Sequence, residues 1–530
     1  MQLKPVIGLV RHRMTEVLGT SVGDIFSDWE AAISRSFEVE LLPAYYRSLS
    51  PEKKQEVGAD FLKRCTLILP GYGLNLFALR EEIGSQVPML YLNLGGLPRG
   101  AVALRKIFPY LRPTDTIVFT SHADPKIHKT LMRRSAARQV YFPFGIDTEF
   151  FKPCSTDERN QYRDLFGFTE DDVVLTYIGR ITVEKNVHAI VRIFKELIKE
   201  YKNLHLLIVG PILDIPFGDF QYKDPDFVAY FNDLRSSHPL LKERIKWVGS
   251  FHKEILPFFY NLSDIYINLT LHHDEQFGYT QVEAMSCGTP VIGTDWGGLQ
   301  DTIRHQQTGF KIKTFLTKWG VQIDRYSLLT SCKALIESKE LREEMSKNAR
   351  CVARTEYTMD IFQNRLETEI QRMLNEPVSS SRGLNQLSNF GLKYNFTFSD
   401  KEMDENGRLL SMVPISPTYS EENYDLYSTL ICPYTSGEVR TEIQESDVLF
   451  FAPESFRIEG NTLYITDVLW PQVYSASLLD LEIIKYLIKT LYVPYQKLLF
   501  DFGGVACQDD IYSSLLTLIA KGVVVNSAGM

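Results

Sequence analysis

His273-Asp274-Glu275-Gln276-Phe277-Gly278-Tyr279-Thr280-Gln281-Val282-Glu283-Ala284-Met285-Ser286-Cys287-Gly288-Thr289-Pro290-Val291-Ile292 carries a loop, a helix start, a turn and an apolar strand in twenty residues. Two carboxylates, Glu275 and Glu283, stand eight positions apart with Gly278 between them. A Cys-Gly-Thr-Pro turn then leads into the short apolar strand Val291-Ile292. A loop entering a helix puts Glu275 at the helix mouth and Glu283 about two turns inside. Both carboxylates can then face one cleft. Ionised carboxylates accept hydrogen bonds in pairs, which suits the neighbouring hydroxyls of a sugar or ribose ring. Spacing alone fits two solvated helix-face acids as well, so the flanking sequence has to discriminate.

Upstream, Gly179-Arg180-Ile181-Thr182-Val183-Glu184-Lys185-Asn186 directly follows the apolar run Val173–Ile178 and opens a helical pattern. Arg180 can make a bidentate contact and Lys185 adds a point charge. The helix N-terminus adds unpaired N–H groups and partial positive charge. Together they form an anion site suited to a diphosphate.

Short apolar strands and helical stretches alternate along most of the chain. Strands are predicted at Val6–Val10, Val39–Leu42, Thr66–Leu69, Met89–Leu94, Thr116–Thr120 and Val140–Pro143, with helices such as Ile25–Ser36 and Arg99–Phe108 between them. A second series runs Val173–Ile178, His205–Val209, Lys246–Gly249 and Ile265–Leu269, with helices at Asn186–Tyr201, Tyr326–Ser338, Glu340–Thr355 and Met359–Leu374. Such alternation predicts an α/β fold with parallel sheets covered on both faces. Pro377-Val378-Ser379-Ser380-Ser381-Arg382-Gly383 reads as a linker. Beyond position 400, strand-like Val448–Ala452 and Thr462–Val468 precede helices at Leu478–Ile488 and Asp510–Ala520 and a Gly-turned strand at Val523–Val525.

Phe277-Gly278 after the first acid, Glu283-Ala284-Met285 around the second, Gly288-Thr289-Pro290-Val291 and Gly297-Gly298 together resemble the donor site of family 4 glycosyltransferases. Phe142-Pro143-Phe144-Gly145-Ile146-Asp147 is similar to that family's interdomain segment, with Phe144 where Asn is usual. The resemblance covers about residues 1–375. It implies a GT-B fold, two Rossmann-like doubly wound domains facing a cleft, here followed by an α+β extension weakly similar to a winged-helix module. The expected domains are 1–155 (acceptor side), 156–375 (donor side with a crossover helix), a linker at 376–400 and the extension at 401–530. It implies transfer of a sugar, with retention of configuration, from a nucleotide-diphosphate-sugar, taken as a UDP-sugar, without metal or other cofactor. Glu275 would bind donor-sugar hydroxyls and Glu283 the ribose. Backbone N–H groups at Phe277, Gly278 and Tyr279 would approach sugar and phosphates, and Gly249 and Ser250 the base. Arg180 and Lys185 would stabilise the departing diphosphate.

The first domain departs from the pattern. The family places adjacent glycines in the first loop, whereas Glu16–Asp24 holds Gly19 and Gly23 apart. Many members carry a His after the fourth strand, where this chain reads Leu92-Asn93-Leu94-Gly95-Gly96. His122 is the candidate substitute, and His273 a candidate lining residue for the donor sugar. Asp224-Pro225-Asp226 matches a metal motif of another glycosyltransferase fold, but its place in a polar insertion reads as a surface loop. These departures keep a second function class open: a non-catalytic nucleotide- or partner-binding scaffold. A phosphorylase lacks support, since no lysine-based cofactor pattern is evident.

An apolar fraction of 44% and a charged fraction of 23% are those of a globular protein. No run reaches the roughly 18 apolar residues needed to span a bilayer. Met1–Val10 reads as a strand, not a signal peptide. Seven scattered cysteines without Cys-x-x-Cys fit a reducing cytoplasm and no structural zinc. The net charge of −9 is uneven: residues 401–530 hold 8 basic and 18 acidic side chains, the rest 49 and 48. An acidic tail repels phosphate backbones, which excludes nucleic acid as its partner. A basic or neutral peptide acceptor, or another subunit, is compatible with it.

Overall fold

A computed structural model describes residues 4–10, 20–71, 73, 75–93, 99–182, 184–212, 227–271, 275–317, 320–376, 384–389, 429, 431–438, 442–453, 456–465 and 472–528. The candidates Gly19 and His273, and the Asp224-Pro225-Asp226 motif, lie outside these residues. The chain forms two compact units, 1–147 with 355–397, and 148–354 with 398–530.

The first unit holds strands Val6–Leu9 (β1), Glu38–Leu41 (β2), Leu67–Leu69 (β3), Leu90–Leu92 (β4), Thr116–Phe119 (β5), Met132–Arg134 (β6) and Arg138–Tyr141 (β7). β2-β1-β3 and β4-β5-β7 are parallel ladders joined by a parallel bridge from Ile68 to Met89. The first helix begins at Thr20, five residues earlier than its apolar period predicts, so Gly23 belongs to helix Thr20–Ser34 rather than to a loop. Ser21, Gly23 and Asp24 read as loop formers, but one turn of hydrogen-bonded helix tolerates them. Helix Met359–Asn375 packs within this unit, with Phe362 edge-on to Trp29 and Phe142. The Arg80 guanidinium, fully buried, is held by Asp115 at 2.6 and 2.9 Å.

His128, also buried, hydrogen-bonds Gln139 at 3.0 Å. Burial, aided by Lys129, pushes its imidazole down to about 4 from 6.5. Between those values the unfolded chain takes up a proton that the folded chain refuses. Stability is therefore fully present above about pH 6.5 and falls as pH is lowered through the window. Urea midpoints at pH 7.5 and pH 5 are expected to drop further for the wild type than for His128→Gln.

The second unit is built on Val173–Ile178 (β8), Leu204–Val209 (β9), Ile245–Trp247 (β10), Ile265–Asn268 (β11), Val291–Thr294 (β12) and Gly309–Ile312 (β13). They form one parallel sheet in the order β10-β9-β8-β11-β12-β13. Every residue of β8, β11 and β12 is buried, as expected for strands covered on both faces. The chain winds outward from β8 through β9 to β10, then restarts beside β8 at β11 and winds the other way. The switch point thus falls between β8 and β11, and ligands of open α/β sheets bind outside the carboxyl ends of strands at such a point.

The same unit contains the hairpin Thr314–Thr317 (β14) and Gly320–Ile323 (β15), and β14 also pairs in parallel with Gly437–Glu438 (β17) from beyond the linker. A two-residue strand Gln386–Leu387 (β16) belongs to the first unit, paired with β6. The extension adds Asp447–Phe451 (β18), the antiparallel meander Phe456–Glu459 (β19), Thr462–Ile465 (β20) and Gln472–Ser475 (β21), then Tyr492–Pro494 (β22) and Val524–Ala528 (β23). β18 lies between β22 and β23, antiparallel to both. Helices Leu478–Thr490, Tyr495–Phe502 and Gln508–Ala520 pack around a core that includes Leu449, Ile484, Leu498 and Leu515. The middle helix is absent from the sequence expectation because its eight residues are too few to display a helical period.

Candidate donor site

The candidate loops of the second unit follow the carboxyl ends of strands. Gly179-Arg180 follows β8, Gly249-Ser250 follows β10, and Glu275 to Gly278 follow β11. The two sides of the switch point meet through an ion pair: Lys185 Nζ lies 2.5 Å from Glu275 Oε2, both side chains more than four-fifths buried. An amine from the anion loop and the first acid of the motif are thus brought together across ninety residues of chain.

Asn186 caps helix Val187–Leu197 with φ 55° and ψ 31°. The left-handed region is open to Gly and, among other residues, best tolerated by Asn, which accounts for Asn at a position where Gly is usual in the resembling family. The helix is amphipathic and buries Val187, Ile190, Val191 and Phe194, so its N-terminus is held firmly at the sheet edge. The Glu184 carbonyl accepts from Leu271 N–H at 3.0 Å, tying the anion loop to the segment after β11. Glu184 is 1% exposed, and burial raises its carboxyl pKa against the pull of Arg180.

Helix Tyr279–Ser286 starts after Gly278, whose φ of 77° is left-handed. A Cβ there would lie 2.3 Å from Leu299 Cδ2. Glu275 therefore precedes the helix by four residues and Glu283 falls at the start of its second turn, about one turn inside rather than the two expected from sequence, because the helix begins only after Gly278. Glu283 is 6% exposed, and its Oε2 accepts from Tyr260 Oη at 2.7 Å. Phe277 is buried, edge-on to Tyr279 at 5.0 Å between centroids.

Three tyrosines that no motif singles out lie beneath these groups. Tyr177 Oη donates to the Arg180 carbonyl at 2.7 Å, Tyr260 Oη to Glu283, and Tyr266 Oη to Thr280 Oγ1 at 2.7 Å. All three are buried, and burial raises each phenol's pKa, so they remain neutral donors. In sequence they read as ordinary core aromatics; only their hydroxyl partners mark them as positioning residues.

Gly249 adopts φ 76°, and its carbonyl accepts from Gly210 N–H at 2.6 Å; Ser250 is exposed. In the first unit, His122 is exposed at the start of helix Ala123–Leu131, its ring tilted 35° to that of Tyr141 with centroids 3.8 Å apart. Among the described residues there is no group of three or more His, Cys, Asp or Glu able to hold a metal, and no helix long and apolar enough to cross a membrane.

Residues 158–352 match the family model of glycosyl transferases group 1. N-acetyl-alpha-D-glucosaminyl L-malate synthase of Bacillus anthracis is 25% identical over 240 residues, 45% of this chain and 55% of that protein. The chain thus spans about half the length of the curated relatives it matches. Sucrose-phosphate synthase from Thermosynechococcus elongatus superposes with a TM-score of 0.51 at 17% identity, covering 70% of this chain and 99% of that one. Anabaena HepE, solved in complex with UDP and glucose, gives 0.51 at 16% identity, covering 69% and 99%. The chain has the GT-B fold, and within it residues 158–352 are similar to the glycosyl transferases group 1 family.

Proposed function

We propose that the protein is a retaining glycosyltransferase that moves a sugar from a nucleotide-diphosphate-sugar, a UDP-sugar, to an acceptor. The observation that carries this reading is the Lys185–Glu275 pair at the sheet's switch point, beside Arg180 and a helix N-terminus. Arg180, Lys185 and the N–H groups of helix Val187–Leu197 would meet the diphosphate. They stand ready before charge develops on the leaving oxygen, so little reorganisation is needed as the glycosidic bond breaks. Glu275, paired with Lys185 through Oε2, would offer its other carboxylate oxygen to a sugar hydroxyl. Glu283, oriented by Tyr260, would accept from the ribose hydroxyls. No side chain is assigned as the acceptor's base, and no metal is invoked.

The acidic extension would present the acceptor, for which a neutral or basic peptide is the fitting class. Leu478 and Phe500, 73% and 84% exposed on its helices, supply apolar contact area. The test is a thermal-shift panel of UDP-, GDP- and ADP-sugars followed by donor hydrolysis. One donor at 100 times its Kd should stabilise the protein by about 2.7 kcal/mol and be slowly hydrolysed. Stabilisation without hydrolysis favours the scaffold reading; no stabilisation by any member overturns donor binding.

A further inference from the structure

The Cys432–Glu438 segment belongs to the extension, yet it is built into the floor of the donor loop. The Tyr434 carbonyl accepts from Gly297 N–H at 2.9 Å and from Gln300 Nε2 at 2.8 Å. Its ring is fully buried, 5.5 Å from the equally buried Trp296. Gly297 turns with φ 50°, and a Cβ there would meet Glu275 O at 2.6 Å and Tyr434 Cδ1 at 2.7 Å, so the glycine is held between the two. The next residue, Gly298, donates to the Glu275 carbonyl at 2.7 Å. Ser436 Oγ donates to Asp295 Oδ2 at 2.7 Å, and β17 pairs with β14, so the segment is anchored beyond Tyr434 as well.

We infer that Tyr434 is a positioning residue for Glu275. It fixes the Gly297-Gly298 turn, and the turn fixes the backbone that carries the carboxylate. The extension is then a component of the donor site in addition to the part that would present the acceptor. This rests on the donor reading of Glu275. Losing Tyr434 should loosen the sugar contact while sparing the groups that meet the nucleotide, because Arg180 and Glu283 are held by Tyr177 and Tyr260.

The test uses the full chain, with UDP and UDP-glucose as probes in calorimetric titrations. Tyr434→Ala should weaken UDP-glucose about tenfold, the size of one charge-assisted hydrogen bond, while UDP binds within about twofold of wild type. Tyr434→Phe should restore UDP-glucose binding by keeping the ring against Gly297. Leu515→Ala removes a buried side chain of the extension far from the turn. It should lower the melting temperature and leave both affinities unchanged. Equal effects of Tyr434→Ala and Leu515→Ala on UDP-glucose, or unaltered discrimination in Tyr434→Ala, overturn the inference. Wild-type protein that binds neither probe overturns the donor reading instead.

Discussion

Arg180→Ala is expected to lower donor turnover by about 10²–10³-fold, the usual cost of removing one preorganised charge from a site of charge development. The melting temperature should fall by only a few degrees, because Arg180 is half-buried at a strand end, although the buried Glu184 carboxyl loses an opposing charge. Glu275→Gln should match it in direction for a different reason. The amide keeps the shape, but Lys185 loses the carboxylate it pairs with at 2.5 Å, and the sugar loses a charged acceptor. The loss should appear mainly in kcat for Arg180→Ala and in both kcat and donor KM for Glu275→Gln. Wild-type-like turnover in both variants would sink the mechanism. A fall in melting temperature that tracks the lost activity would reduce both residues to structural ones.

Gly298→Ala is expected to dismantle the donor loop. A Cβ at this position would stand 1.9 Å from Gln276 O, 2.0 Å from Gln276 C and 2.5 Å from Phe277 N. All three are backbone atoms, so no rotamer change relieves the clash. Its φ of −70° is ordinary, so the effect is steric and not conformational. The Glu275–Phe277 backbone has to move away, which breaks the 2.7 Å bond from Gly298 N–H to the Glu275 carbonyl. Overpacking of this kind costs about 1–3 kcal/mol, and here the displaced segment is the binding site itself. UDP-glucose affinity should be lost and the urea midpoint lowered. Gly504→Ala has open space around the added methyl and serves as the neutral control. A Gly298→Ala protein with wild-type affinity would show that this turn does not hold the loop.

The Arg180–Asn186 and Glu275–Glu283 elements were legible because each is local. A buried strand, a short loop and a helix start follow one another within a dozen residues, and the chemistry sits at the junction. The first helix was read short at its N-terminus, since polar Ser21 and Asp24 look like loop while backbone bonding still holds them helical. Asn186, where Gly is usual in the resembling family, is an equivalent solution because its backbone is left-handed.

The supporting residues were not legible, and the reason is sequence distance. Tyr260 reaches Glu283 through a packing of two helices, and Tyr434 lies 134 residues from Gln300, whose side chain it receives. β17, two residues long, is too short to announce itself and forms only because it finds β14. The sequence alone determined the parallel α/β sheets, the polarity of each strand-loop-helix junction and the type of group placed there, since burial pattern and turn chemistry act over a few residues. The tertiary structure decided which of those groups meet and what holds them. The pairing of Lys185 with Glu275, the neutral tyrosine supports and the extension's grip on the Gly297-Gly298 turn all depend on strand order and long-range packing, which short-range pattern does not encode.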